Sequence, residues 1–273
     1  MKKLIVISDW AGDSLNRQEF KSAVEGFLQT ATNLNLSFVC STPSTIHTAF
    51  LLSQIVQIEE RYGRPLETVI FQNTDPRLQT QAPLEKAKGA EFIVIRLRSG
   101  IYLCGPNAGY DFSLARDKID EVYLYPDLDK GSQFRSRDLY ARVCAHLVDE
   151  LEDELELEET ERNIIPVLVG RYVAHIDNHG NIKTTIKHAD LKGKYEYGEM
   201  VEIVINKICK KAKFVSNLFG GTSGELVIYP GSSGSKDNPY LEISVWRHFT
   251  EKNHTTGLHE FNFPLPGAAV EIK

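Results

Sequence analysis

Apolar and polar positions fall into two textures along the 273-residue chain. In the first half, short apolar runs alternate with stretches of helical spacing. Leu4–Ser8 is a compact apolar run. Phe20, Val24, Phe27 and Leu28 recur at helical intervals and predict a helix over Phe20–Thr30. Ser37–Cys40 leans towards strand. Thr48–Glu60 reads as an amphipathic helix closed by the turn Gly63-Arg64-Pro65. Thr68–Gln72 and Phe92–Leu97 read as strands, and Leu139–Leu147 as a further helix. Alternating strands and helices predict an α/β domain, with a mostly parallel sheet and flanking helices. Ligands in such folds sit at the carboxyl ends of strands. Asp9, Asp75 and Asn107 each follow a strand-like run and are candidates on that ground.

The acidic stretch from Asp149 to Glu161 separates the two textures and predicts a boundary, giving domains over residues 1–155 and 156–273. Beyond it come short β-rich pieces: Ile164–Ile176, Met200–Ile205, Glu225–Tyr229, Tyr240–Trp246 and Ala268–Ile272. Turn clusters such as Asn178-His179-Gly180-Asn181 and Gly231-Ser232-Ser233-Gly234 lie between them. This pattern predicts a small all-β barrel.

Charge and composition narrow the field. A formal net charge of −6 provides no electrostatic footprint for nucleic acid or an anionic membrane. No apolar run reaches bilayer-spanning length, and the opening Met1–Asp9 is too short in apolar residues for a signal peptide, so a cytoplasmic protein is expected. Four cysteines (Cys40, Cys104, Cys144, Cys209) form no CxxC pair, which argues for buried reduced thiols and against zinc or a disulfide framework. No metal is implied, and no nucleophile elbow, Walker loop or dinucleotide fingerprint is present.

Four segments carry polar chemistry. Asp9 and Asp13 in Ser8-Asp9-Trp10-Ala11-Gly12-Asp13 could bind a metal, act as acid and base, or accept from the hydroxyls of a ribose, although taken alone the segment reads first as an aspartate capping the next helix. Asp75 in Asn73-Thr74-Asp75-Pro76 could hold a substrate group or a water, or mark a turn. In Asp177-Asn178-His179-Gly180-Asn181 a carboxylate and an amide stand four residues apart. They could grip a zwitterion, the carboxylate taking the ammonium and the amide donating to the carboxyl, or could belong to a plain hairpin turn. Gly231–Gly234 would let a flat ligand approach the backbone beside the strand at Tyr240, or form a loop lengthened by Ser235–Pro239.

Taken in order, these segments resemble the S-adenosylmethionine hydroxide adenosyltransferase family, whose close relatives are the fluorinating and chlorinating enzymes. The family's T-D-F-G-x-x-D is similar to Ser8–Asp13, and its V-D-P-G-V-G-T-x-R to Thr74–Ala82. Its P-D-N-G resembles Pro106-Asn107-Ala108-Gly109, and its F-H-G-R-D-x-F-A-P resembles Phe134–Arg142. The tightest likenesses are I-D-x-F-G-N-x-x-T-N-I at Ile176–Ile186, and G-S-S-G-x-L-E-I-A at Gly231–Gly234 with Leu241–Ser244. The resemblance implies an α/β domain joined to a β-barrel domain in a homotrimer, with a nucleoside ligand held between neighbouring subunits and no cofactor beyond S-adenosylmethionine as substrate or ligand. Asp9 or Asp13, with Asp13 preferred, would hold the ribose. Asp177 and Asn181 would hold the methionine ammonium and carboxylate, and Ser232 and Ser233 would lie near that end or the adenine. Asn107 falls on a binding motif. Water would displace methionine at C5′, oriented by an Asp, Arg and His. Asp75 matches the Asp, the Arg position falls on Ala82, and the His position falls on Arg135, so Arg77 or Arg135 would have to supply the missing support. The alternatives are a non-catalytic nucleoside or S-adenosylmethionine sensor or carrier, and a C5′ transferase that uses another anion held by Arg135.

Overall fold

A computed structural model describes residues 1–30, 33–74, 90–126, 132–248 and 254–273. Two compact units are present, Met1–Leu168 and Val169–Lys273.

The first unit is a seven-stranded sheet. Its strands are Lys2–Ser8 (β1), Leu34–Cys40 (β2), Thr68–Asn73 (β3), Phe92–Leu97 (β4), Tyr102–Pro106 (β5), Ile119–Leu124 (β6) and Glu158–Thr160 (β7), in the order β2-β1-β3-β5-β4-β6-β7. The pairs β2/β1, β1/β3 and β3/β5 are parallel, whereas β5/β4, β4/β6 and β6/β7 are antiparallel. The sheet is therefore mixed, which corrects the expectation of a mostly parallel one. The physical reason is connection length. β4 returns to β5 through the short turn at residues 98–101, which can join only antiparallel neighbours. The helices are Ser14–Phe27 (α1), Thr45–Tyr62 (α2) and Ala141–Asp149 (α3). Because successive strand residues face opposite sides, each apolar run feeds two cores. Leu4, Val6, Val69, Phe71, Phe92 and Val94 pack with Phe20 and Val24 of α1 and with α3. Ile5, Ile7, Ile70, Ile93 and Ile95 pack with Leu52 and Val56 of α2.

The unit extends through the acidic stretch to Leu168, past the expected boundary at 155. Three features hold this stretch in place. Leu155 is buried in the first core, β7 pairs with β6, and Ile165 enters the second core. Most of the charged residues face solvent, while buried Asp149 accepts the N–H groups of Gln29 and Thr30 and half-buried Glu152 accepts the Tyr102 hydroxyl.

The second unit has strands Val173–Ile176 (β8), Ile182–Lys187 (β9), Met200–Ile205 (β10), Ile208–Phe214 (β11), Leu226–Ser235 (β12), Asn238–Val245 (β13) and Val270–Ile272 (β14), in the order β14-β10-β11-β12-β13-β9-β8. The two end strands meet: Tyr172 bridges Ala269, and the Val173 N–H donates to Ala268 O and the Val270 N–H to Arg171 O, each at 2.8 Å. The sheet is thereby nearly barrel-shaped around Ile182, Ile186, Val201, Ile203, Phe214, Leu241, Ile243 and Phe261. A short helix, Gly257–Glu260 (α4), precedes Phe261. The Gly231–Gly234 segment belongs to β12 and forms no loop with Ser235–Pro239. Its pairing with β13 shifts register between Pro230 and Gly234, so the extra residues bulge out of the ladder.

The cysteines divide into two sets. Cys104 and Cys144 are buried with their sulfurs 3.9 Å apart, as expected of buried thiols, whereas Cys40 and Cys209 are exposed. Among the described residues no helix is long and apolar enough to cross a membrane, and no three His, Cys, Asp or Glu side chains could together hold a metal.

Candidate functional site

In the first unit the polar side chains gather at the carboxyl ends of β1, β2, β3 and β5. The Ser8 hydroxyl donates to the Asn73 carbonyl at 2.6 Å, and the Asn73 amide donates to the Ser136 hydroxyl. Thr74, almost fully buried, has its hydroxyl 2.5 Å from that of Thr48 and 3.3 Å from that of Ser41. These bonds tie the end of β3 to the end of β1, to the start of α2 and to the π-helical turn Ser136–Tyr140 that leads into α3. Arg135 is the residue just before that turn. It is half-buried and interacts with the hydroxyl of buried Tyr140.

The sequence-predicted residues distribute unevenly over this end of the sheet. Asp9 is half-buried directly after β1, with the Ser8 hydroxyl 3.4 Å from its carboxylate. Asp13 is exposed and caps α1, accepting the Asn16 N–H at 2.9 Å. One oxygen of its carboxylate is thus engaged by the helix end. Asn107 follows β5, and its amide N–H donates to the Ile164 carbonyl at 2.9 Å while its side-chain oxygen is buried without a partner. Asp75, Arg77 and Ala82 lie outside the described residues.

One residue of this region was missed from sequence. Asp111 is completely buried, and neither of its carboxylate oxygens has a well-formed hydrogen bond. Burial pushes its carboxyl well above the ordinary aspartate range, and the nearby Asp9 charge adds to the shift. The main-chain N–H groups of Asp111 and Ala108 offset this only in part. The signal available in sequence was an aspartate set between two aromatics, Tyr110-Asp111-Phe112, a few residues after Asn107.

In the second unit the polar residues form two rows across β8, β9 and β13. In one row, His175 is opposite Lys183 and Lys183 is opposite Glu242. In the next, the turn carrying Asp177 meets Asn181, and Asn181 meets Ser244. One Asp177 oxygen accepts the main-chain N–H groups of His179 and Asn181 at 2.9 and 3.0 Å, and the other accepts the Asn181 amide at 2.9 Å. The Ser244 hydroxyl donates to the Asn181 side-chain oxygen. Burial works against ionisation of Asp177, but the bonds from Asn181 and His179 outweigh it and hold its carboxyl below the usual range. The turn depends on Gly180 at φ +74°, where a Cβ would also stand 2.5 Å from the Thr256 hydroxyl. His179 is exposed on the turn.

Glu242, 4% exposed, is the hub of the other row. One of its oxygens accepts Lys183 Nζ at 2.5 Å and the Ser232 N–H and hydroxyl at 2.8 and 3.1 Å, while the other accepts the Tyr229 hydroxyl at 3.2 Å. This carboxylate shapes the bulge of β12, since a Cβ on Gly231 would collide with it. Ser232 is exposed beside Lys183, whereas Ser233 is buried. The structure thus brings Asp177, Asn181 and Ser232 to one face and places Ser233 beneath it.

Two cavities of about 340 and 370 Å³ sit at the opposite end of the first sheet, around Arg96, Tyr102 and Glu152. Neither contains a sequence-predicted residue.

The chain thus joins an α/β unit with polar groups at its strand ends to a nearly closed barrel unit that carries an acid–amide turn. No protein-family model matches the chain. It is 34% identical over 145 residues to an (R)-S-adenosyl-L-methionine hydrolase of Methanocaldococcus jannaschii, a match covering 46% of this chain and 50% of that one. The match therefore spans about half the length of that relative. The fold is shared with an uncharacterized conserved protein from Thermotoga maritima (TM-score 0.69, 20% identity, 98% and 99% of the two chains). It is also shared with a conserved hypothetical protein from Thermus thermophilus (TM-score 0.66, 17% identity, full coverage of both). These likenesses support a divergent member of the S-adenosylmethionine hydrolase and fluorinase-like family.

Proposed function

We propose that this protein binds S-adenosylmethionine and hydrolyses it at the ribose C5′ to adenosine and L-methionine. The observation that carries the reading is the Asp177–Asn181 turn. Its carboxylate is held ionised, and after the internal bonds one lone-pair site on Asp177 and one amide N–H on Asn181 remain for a ligand. An ammonium and a carboxylate on one carbon are complementary to that pair. In the first unit Asp9, half-buried at the end of β1, takes the ribose hydroxyls in preference to Asp13, which is exposed and caps α1. Asn107 offers its unpartnered oxygen to the same nucleoside.

The sulfonium is already a good leaving group, so the reaction needs an oriented water more than acid or base strength. The water oxygen attacks C5′ as the C5′–S bond breaks, methionine departs with the electron pair as a thioether, and the surplus proton passes to solvent. Asp75 orients the water, with Arg77 or Arg135 supporting it. A homotrimer with sites shared by neighbouring subunits belongs to the same proposal.

A second reading, a sensor or carrier without turnover, is favoured by one observation. Arg135 stands where the resemblance calls for histidine, and a guanidinium cannot act as a base. The test is to incubate the purified protein with S-adenosylmethionine and to chromatograph for adenosine and methionine, with Asp75→Ala as control, on material whose trimeric mass has been checked by sedimentation. Adenosine release lost in Asp75→Ala is the expected result. Saturable binding without product establishes the sensor reading, and absence of both binding and product removes the proposal.

A further inference from the structure

Lys183 stands out on the polar face of the barrel because no predicted role uses it. It lies two residues after Asn181 on β9, on the same face, in the row between His175 and Glu242. Its Nζ donates to Glu242 at 2.5 Å and to the exposed Ser232 hydroxyl at 3.0 Å, and its side chain is 13% exposed. An ammonium has three N–H groups, so one remains. Glu242 accepts four hydrogen bonds, and three of these come from Ser232 and Tyr229 without the lysine. The carboxylate would therefore stay well solvated by protein without it.

The electrostatics of the row point the same way. Burial is the main reason the imidazole of His175 is pushed below its usual range, and the Lys183 charge adds to it. The Lys183 charge also helps to hold Asp177 ionised. One fixed anion and one fixed cation thus flank the Asn181 amide on a single face. The ion pair with Glu242 offsets the Lys183 charge, so the lysine would read a carboxylate through its remaining directed N–H, while Asp177 attracts the amine. A ligand carrying both charges on one carbon satisfies both.

We infer that Lys183 is a specificity-determining residue that takes the carboxylate of an α-amino-acid ligand while Asp177 takes its ammonium, so that the barrel unit selects zwitterions. The inference rests on the proposed binding of S-adenosylmethionine and goes beyond it in assigning the charge that reads the carboxylate. The ligand's carboxylate displaces nothing: it accepts the third N–H of Lys183 together with the spare amide N–H of Asn181, and charge-assisted bonds of this kind are the strong ones.

The experiment is calorimetric titration of wild type and Lys183→Met with S-adenosylmethionine and with its decarboxylated analogue, which keeps the nucleoside, the sulfonium and the amine. Wild type should prefer S-adenosylmethionine by about 10-fold or more, on the scale of one charge-assisted bond. Lys183→Met should lose that preference while binding the analogue within about 2-fold of wild type. If removing the lysine unfolds the barrel by stranding the Glu242 charge, the double variant Lys183→Met/Glu242→Gln removes both charges, its amide oxygen still accepting from Ser232 and its amide N–H donating to the Tyr229 hydroxyl. A preference that survives in a folded variant overturns the inference, as does equal loss of both ligands in a folded variant. Wild type that binds neither nucleoside overturns the functional reading itself, a result distinct from either of these.

Discussion

Asp111 makes the clearest prediction at the scale of single residues. A carboxyl with no exposed surface and no well-formed hydrogen bond is stable there only with its proton on. Its folded-state pKa therefore lies above the unfolded one. At a pH below the unfolded value both states hold the proton, and folding incurs no penalty. As the pH rises through about 4, the unfolded chain ionises and gains relative to the folded one, and stability falls until the folded pKa is passed. Asp111→Asn keeps the shape and removes the titration. It should leave the thermal midpoint near pH 3 almost unchanged and raise stability at pH 7 by about 1 kcal/mol or more, since one pKa unit corresponds to ~1.4 kcal/mol. Thermal melts at the two pH values check this, and equal effects at both would show that Asp111 does not titrate with folding. The residue also marks a limit of sequence reading. Asp9 and Asn107 are legible because they follow apolar runs, whereas Asp111 becomes conspicuous only once its neighbours are known to seal it from water.

At the scale of elements, the same contrast separates Asp9 from Asp13. Both carboxylates stand between β1 and α1, and the sequence alone leaves diol binding and helix capping open for each. The backbone makes Asp13 an N-cap, with extended φ and ψ and the Asn16 N–H as donor. Asp13→Ala should cost about 1 kcal/mol of stability, as N-cap removals do, with nucleoside affinity unchanged. Asp9→Ala should abolish nucleoside binding. Calorimetry on the two variants distinguishes them, and loss of affinity in Asp13→Ala would return the ribose to Asp13. Strands with strong apolar patterns were legible to within a residue or two, such as Phe92–Leu97 and Met200–Ile205. Ile208–Phe214 was not, because lysines at 210, 211 and 213 surround its buried Ala212 and Phe214 and hide the alternation. The mixed sheet order was also hidden, because strand direction depends on which partner a strand finds and not on its own composition.

At the scale of the whole molecule, the position of the boundary between the units decides which fragments can fold. An acidic, leucine-bearing stretch predicts a boundary in sequence, as the end of a helix or as a linker, and a cut at 155 follows from it. The structure assigns that stretch to the first unit through Leu155, β7 and Ile165. A fragment of residues 1–155 would expose the free edge of β6 and remove Ile165 from a core otherwise intact, and unpaired edges and core vacancies both destabilise. Residues 169–273 carry a complete core and the hydrogen bonds that bring β8 back to β14. That fragment should therefore fold alone, with a cooperative melt and dispersed amide resonances. Residues 1–168 should melt at a higher temperature than residues 1–155. If 169–273 is unfolded while the intact chain is stable, the barrel depends on contacts outside itself. If 1–155 and 1–168 melt together, the acidic stretch is a linker after all.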